Sequence, residues 1–197
     1  MPRKRQDHDK LRHELVALLR KRSIQDGSFT LASGRTSNYY IDARPTTMSA
    51  AGLELVGSLG LAAIREAGWA ASAVGGLTLG ADPVAYAIAR ASRLDQPVID
   101  AFTVRKETKG YGQKRRIEGC FAPGAAVVVV EDVITSGSSA LTAIEAVAGE
   151  GGVILGVVAV VDREEGGRAA IERAGYQVRA ILTATSLGLT PNRPAAS

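Results

Sequence analysis

Residues 125–140 read AAVVVVEDVITSGSSA. An apolar run passes without alternation into two adjacent carboxylates, Glu131 and Asp132, and small hydroxylated residues around Gly137 follow. A strand that is apolar on both faces belongs inside a sheet covered on both sides. Beyond the serines, Leu141, Ile144 and Val147 recur at helical spacing and glycines close the run, so a helix covers 138–152. Strand, polar loop and helix make a βα unit, and the fold class depends on whether its neighbours repeat it.

They do. Upstream, 71–76 (ASAVGG) reads as a short buried strand running into a glycine pair. Residues 81–91 (ADPVAYAIARA) read as a helix with Asp82 as N-cap and Pro83 at the first helical position, and 97–104 (PVIDAFTV) as a strand. Downstream, 153–162 (VILGVVAVVD) is a long strand, 164–175 (EEGGRAAIERAG) a helix and 176–182 (YQVRAIL) a last strand. Ahead of this series, Leu11, Leu15, Leu18 and Leu19 place an amphipathic helix over 9–22. A β-like hairpin pairs Phe29–Leu31 with Tyr39–Ile41, and a second helix over 49–67 stops at Gly68. The expected class is α/β: a central, mostly parallel sheet flanked by helices, with a small N-terminal hood layer. One domain is expected over 1–197, with 1–45 forming the N-terminal helix and the hood.

Composition narrows the chemistry. With 46% hydrophobic and 22% charged residues the chain is globular and not disordered. The single cysteine, Cys120, excludes an intrachain disulfide framework and a multi-cysteine zinc site. His8 and His13 both lie in the N-terminal segment, which disfavours a histidine-based metal or acid–base centre. No apolar run approaches the ~20 residues of a membrane span, and the N-terminus lacks the apolar core of a signal peptide, so a cytoplasmic protein is expected. Net charge is +4, and the basic residues concentrate in two places. Arg3, Lys4, Arg5, Lys10 and Arg12 read as a solvated, frayed tail. The segment Arg105–Arg116 is denser and suits an anionic ligand: phosphate, carboxylate or nucleic acid.

In an open parallel sheet, ligands bind beyond the carboxyl ends of the strands. Three segments stand there: 75–81 (GGLTLGA), 105–116 (RKETKGYGQKRR) and 131–139 (EDVITSGSS). In the third, the amides from Thr135 to Ser139 head a helix and favour an anion, and Ser136, Ser138 and Ser139 add hydroxyl donors. One hydroxyl there would be an ordinary N-cap; three around a glycine point to phosphate. Glu131 and Asp132, side by side, each raise the other's cost of ionisation unless a cation or hydroxyl donors stabilise them, as a sugar diol or a hydrated magnesium ion does. The chain has neither the GxxxxGK[ST] of a P-loop nor the GxGxxG of a dinucleotide fold. A site for phosphate, diol and metal in close succession describes a phosphorylated ribose.

VVVVEDVITSGSSA is similar to the 5-phosphoribosyl 1-diphosphate (PRPP) motif of type I phosphoribosyltransferases. FTLASGRTSNYYIDAR, GGLTLGADPVAYAIA, VRKETKGYGQKRRIEG and the later VVDR resemble the orotate phosphoribosyltransferases in particular, in that family's order. The resemblance implies transfer of phosphoribose from PRPP to orotate in pyrimidine (UMP) biosynthesis, with magnesium as cofactor. It implies that Glu131 and Asp132 hold the ribose hydroxyls, Asp132 organising the metal through water, and that Thr135, Ser136, Gly137, Ser138 and Ser139 bind the 5-phosphate. Gly76, Leu77, Thr78 and Leu79 match the diphosphate loop; Arg105, Lys106 and Lys109 match a basic loop that closes over the diphosphate and reaches the neighbouring subunit of a homodimer. Catalysis falls to Lys109, Arg105 and Asp132. Orotate is assigned to Arg163, which meets its carboxylate, to Thr135, and to Tyr39 and Tyr40, which flank the ring. Two positions depart from the family: Gln25 stands where many members carry lysine, and Tyr111 where some carry histidine. The rival readings are a phosphoribosyltransferase for another base, disfavoured by Arg163 and RKETKGYG, and a PRPP-sensing regulator that binds nucleic acid. The second is disfavoured because the basic segment has only Tyr111 for base stacking.

Overall fold

The computed structural model describes residues 2–30, 36–107 and 116–191. Helix α1 (Pro2–Arg22) starts well before the expected boundary. Proline is tolerated in a first turn, and the Arg, Lys and Gln that follow are good helix formers, so the basic segment read as a frayed tail continues the helix. Leu15 and Leu19 are fully buried in one cluster with Leu55, Val56 and Leu59 of α3 (Ala50–Glu66). Before α3 lie strands β1 (Ile24–Thr30) and β2 (Thr36–Ile41) and the short helix α2 (Arg44–Thr47). The two strands pair antiparallel as a sheet of their own. Both arms are longer than the expected hairpin, and Phe29 faces Ser37, not Ile41, which pairs with Ile24. A shift between Asp26 and Phe29 sets that register, as a β-bulge does.

The main sheet contains β3 (Ala73–Leu77), β4 (Asp100–Val104), β5 (Ile117–Gly119), β6 (Ala126–Ile134), β7 (Val153–Asp162) and β8 (Val178–Thr183) in the order β5-β4-β3-β6-β7-β8. Only the β4–β5 pair is antiparallel. Helices α4 (Ala81–Ser92), α5 (Ser138–Gly149) and α6 (Gly167–Arg173) connect or cover the strands, and a 3-10 turn spans Thr185–Leu187. β5 was not anticipated; it is a short edge strand closing the segment that begins at Arg105.

The alternation expected of a doubly covered strand is visible in β6. Val128 and Val130 join the cluster that contains Val84 and Ile88 of α4, whereas Val127 and Val129 join Ala143, Ile144 and Val147 of α5. All four valines are fully buried, each contributing roughly 1.5 kcal/mol of hydrophobic stabilisation. The strand does not end at Val130. It continues through Glu131 and Asp132 to Ile134 because β7 keeps supplying partners, Glu131 opposite Ala159 and Ile134 opposite Asp162. On the other side, β3 pairs with β6 only as far as Val129. The order of connection reverses between β3 and β6, and at such a switch point the loops diverge and open a crevice.

Candidate active site

Both walls of that crevice come from loops singled out above. Gly137 stands at the N-cap of α5 with φ +82° and ψ 0°, a left-handed conformation that glycine adopts without penalty. It has no side chain to cap the helix, which leaves the first-turn amides to an anion. Ser136 donates to Ser138 Oγ at 3.1 Å and accepts from the Ser138 amide at 3.4 Å. A cavity of about 220 Å³ opens here, lined by Glu131 and Val133 through Ser139. The structure therefore brings together Glu131, Thr135, Ser136, Gly137, Ser138 and Ser139, as the resemblance implies. A wider groove of about 1330 Å³ runs between α1, α3 and α4 and contains none of these loops.

Glu131 is 6% exposed, and its Oε2 is buried without a hydrogen-bond partner among the described residues. Burial, and then the neighbouring Asp132 carboxylate, push the Glu131 carboxyl well above the usual range. Asp132 is half-buried; its Oδ1 accepts from the Val133 amide at 2.8 Å. A Cβ at Gly80 would lie 2.6 Å from that oxygen, so a side chain there would push the carboxylate aside. The Arg44 guanidinium, held by Asp42 at 2.8 and 2.9 Å, also lies within electrostatic reach of Asp132. No group of three or more His, Cys, Asp or Glu among the described residues could hold a metal alone. A half-buried carboxylate beside an unpartnered buried carboxylate oxygen nevertheless fits magnesium, which takes oxygen ligands, keeps several waters and shares its shell with substrate phosphates.

The loop after β3 differs from expectation in one respect. Thr78 has both its donors engaged within the protein: its amide donates to Val104 O at 2.8 Å and its hydroxyl to Asp82 Oδ2 at 2.7 Å. Gly80, not Asp82, occupies the N-cap of α4, and the Asp82 carboxylate accepts from Thr78 and from Thr103 instead. The Thr78–Leu79 peptide is cis. Arg105 and Lys106 follow β4 and lie outside the cavity lining; Arg105 Nη1 sits 3.4 Å from Glu118 Oε1 on β5. Lys109 and Tyr111, like Ser33–Arg35 of the hood turn, are outside the described residues.

Arg163 is 4% exposed at the end of β7. Its Nε donates to Glu165 Oε1 at 3.1 Å, its Nη2 lies 2.8 Å from the same oxygen, and its guanidinium stands 4.9 Å over the Tyr39 ring. Tyr39 donates to that oxygen at 3.1 Å, and burial pushes the phenol up. Glu165, an unanticipated member of the cluster, is buried and its Oε2 has no hydrogen-bond partner among the described residues. The expectation that Tyr39 and Tyr40 flank one ring is corrected here. Successive side chains on a strand point to opposite faces, so Tyr39, 1% exposed, lies under Arg163 while Tyr40, 41% exposed, meets Phe29 at 5.7 Å between ring centroids. Gln25 pairs with Tyr40 across the hairpin.

Known proteins converge on the same reading. Orotate phosphoribosyltransferase of Aquifex aeolicus is 46% identical over 179 residues, which is 89% of this chain and 97% of that protein. The chain belongs to the orotate phosphoribosyltransferase family. The Mycobacterium tuberculosis H37Rv enzyme of that name is 48% identical over 90% of this chain and 97% of its own. Its crystal structure with PRPP superposes at a TM-score of 0.77, with 44% identity over 91% of this chain and 99% of that one. Adenine phosphoribosyltransferase from Saccharomyces cerevisiae, 18% identical at a TM-score of 0.63, shares the fold alone. No family model matches the chain.

Proposed function

We propose that the chain transfers the 5-phosphoribosyl group of PRPP to orotate, releasing diphosphate and forming orotidine 5'-phosphate in pyrimidine biosynthesis. The observation that carries this is the junction of the cavity at the head of α5 with Glu131 of β6, next to Asp132, at the switch point of a chain in this family.

In this reading the amides and hydroxyls of Thr135–Ser139 hold the 5-phosphate, Glu131 and Asp132 the ribose hydroxyls, and Arg163 the orotate carboxylate. Glu131 suits a diol because its carboxyl is reluctant to ionise without donors, and ribose hydroxyls supply them. Thr135 lies next to the orotate, and Tyr40, the exposed tyrosine, is the one that approaches the ring. Orotate brings its own negative charge and a ring nitrogen able to attack C1 of the ribose, so no nucleophilic side chain is required. The C1–O bond to diphosphate breaks as the N–C1 bond forms, and the leaving electron pair stays on the diphosphate. Positive charge develops on the sugar and negative charge on the leaving group, so catalysis rests on placement and on fixed charge. Arg105, Lys106 and Lys109 neutralise the diphosphate, Lys109 carrying the main catalytic role. Asp132 would hold magnesium through water, and the ion, when bound, would supply further positive charge to the leaving diphosphate. Closure of the 105–116 segment keeps water from the sugar cation. The active form is a homodimer that shares this segment across its interface, and the enzyme works in the cytoplasm. Among the described residues no helix is long and apolar enough to cross a membrane.

The loss of orotate absorbance on mixing enzyme, orotate, PRPP and magnesium tests the reading. Turnover of uracil or a purine instead of orotate, or tight nucleic-acid binding with no turnover, would overturn it.

A further inference from the structure

The three-cornered hydrogen-bond network around Asp82 is absent from the role just described. Asp82 Oδ2 accepts from Thr78 at 2.7 Å and Oδ1 from Thr103 at 2.8 Å, and the Thr103 hydroxyl is approached by Tyr86 Oη at 3.0 Å. Thr103 donates its proton to Asp82, so Tyr86 donates to Thr103. The network thus has a fixed direction, from Tyr86 through Thr103 to the carboxylate. Thr78 lies in the loop after β3, and Thr103 lies on β4, two residues before Arg105. The same two segments are joined a second time, through the amide of Thr78 and the carbonyl of Val104.

We infer that Asp82 is a positioning residue for the diphosphate: it braces the loop after β3 against the end of β4, so that this loop and Arg105, just past β4, face one ligand. This rests on the reading of 76–79 as the diphosphate loop. Thr78, with both donors engaged, contributes shape and no hydrogen bond to the ligand. A carboxylate suits the brace because it is acceptor-only and takes one hydroxyl on each oxygen. In the first turn of α4 its charge is also stabilised by the helix dipole. An amide at this position offers one acceptor and one donor, so one threonine hydroxyl must give up donating and accept from the NH2 instead, which replaces a charge-assisted bond by a neutral one and sends that hydroxyl's proton elsewhere.

Simple electrostatics and the brace predict opposite signs, which makes Asp82→Asn decisive. Removing a negative charge near a diphosphate tightens its binding if Asp82 acts only through the field. If Asp82 holds the loop, binding weakens. The test is isothermal titration of the full chain, wild type and Asp82→Asn, with inorganic pyrophosphate plus magnesium and separately with ribose 5-phosphate, alongside the thermal midpoint. The expected result is pyrophosphate binding weaker by about tenfold, equivalent to 1.4 kcal/mol, and ribose 5-phosphate binding changed by less than about twofold. Thr103→Val, which keeps the branched shape and removes one hydroxyl, should repeat the selective loss and serves if Asp82→Asn does not fold. Unchanged or tighter pyrophosphate binding in the variants, or equal loss for both ligands, overturns the brace. A wild-type chain that binds ribose 5-phosphate but no pyrophosphate removes the reading of the loop itself, and the brace with it.

Discussion

Gly137→Ala tests the proposed phosphate cradle at a crowded left-handed turn. The residue has φ +82°, and a Cβ there would sit 2.7 Å from Gly167 O and 3.1 Å from Ile171 Cγ1. Two costs add. An alanine in the left-handed region costs about 1 kcal/mol relative to glycine, and forcing a methyl against a backbone carbonyl in a packed junction costs about 2 kcal/mol more. The expected loss of about 3 kcal/mol is a large part of a typical stability of roughly 5–15 kcal/mol, so the variant folds but unfolds at clearly lower urea. Gly124→Ala is the matched control: φ is again +82°, yet nothing lies within 4 Å of its Cβ. It carries the backbone cost alone, about 1 kcal/mol. Relief of the clash in Gly137→Ala requires the Thr135–Ser139 loop to move away from α6, which shifts the amides at the head of α5. Ribose 5-phosphate binding should weaken by about tenfold or more in this variant and stay at the wild-type level in the control. Urea unfolding and titration calorimetry read the two effects. Equal stability losses for the two variants, with unchanged ribose 5-phosphate binding, would refute both the packing account and the cradle.

Glu131→Gln should change the pH dependence of stability. The folded carboxyl titrates well above its unfolded value near 4.5, so its contribution is complete below that value and is lost as pH rises toward the folded one. Without ligand, the stability of the wild type relative to Glu131→Gln should fall by up to about 1.4 kcal/mol per pH unit over that window; a flat difference in urea unfolding between pH 4.5 and 8 contradicts it. Arg163→Met strands the buried Glu165 carboxylate and should cost about 3 kcal/mol, part of it recovered by adding Glu165→Gln. Additive losses in a urea series would show that the two residues are not coupled. Lys109→Ala should lower turnover by about a hundredfold or more with orotate affinity preserved, and turnover near wild type would remove Lys109 from the catalytic role.

The reach of sequence reasoning differed by residue for identifiable reasons. The βα series was legible because strands buried on both faces and helices with an apolar stripe leave distinct periods, and the loop at the head of α5 stood out because three hydroxyls around a glycine exceed what an ordinary cap needs. β5 was missed because three residues, Ile117–Gly119, carry no period. The end of β6 is not marked in the sequence, because the carboxylates fall inside the strand, where β7 continues to pair beside Glu131. Asp82 looked like an N-cap by local rules, but Gly80 takes that place and Thr103, distant in sequence, engages the carboxylate. Glu165 was indistinguishable from Glu164 in the run REEGG. Glu164 accepts from the Thr185 amide, and its backbone turns at φ +57°, and this turn leaves Glu165 facing Arg163. Only the alternation of Tyr39 and Tyr40 was available in advance, since neighbours on a strand cannot line one face.

Strand order explains why these pieces make one site. β3 and β6 are separated in the chain by α4, β4 and β5, and no local pattern says that they are neighbours. Once they are, the loop leaving β3 and the carboxylates of β6 must share the same crevice. Gly80 then lets Asp132 come into van der Waals contact with that loop, and β4 on the far side of β3 delivers Arg105 at the same edge. A phosphate at α5, a diol and metal at β6 and a diphosphate at β3 and β4 would therefore follow the strand order across the sheet, matching the sequence of groups along PRPP. A side chain at Gly80 would separate the last two by pushing on Asp132 Oδ1, without touching the phosphate cradle. The carboxylates of β6 and the loop after β3 thus meet at one glycine, while the head of α5 is packed independently through Gly137 against α6.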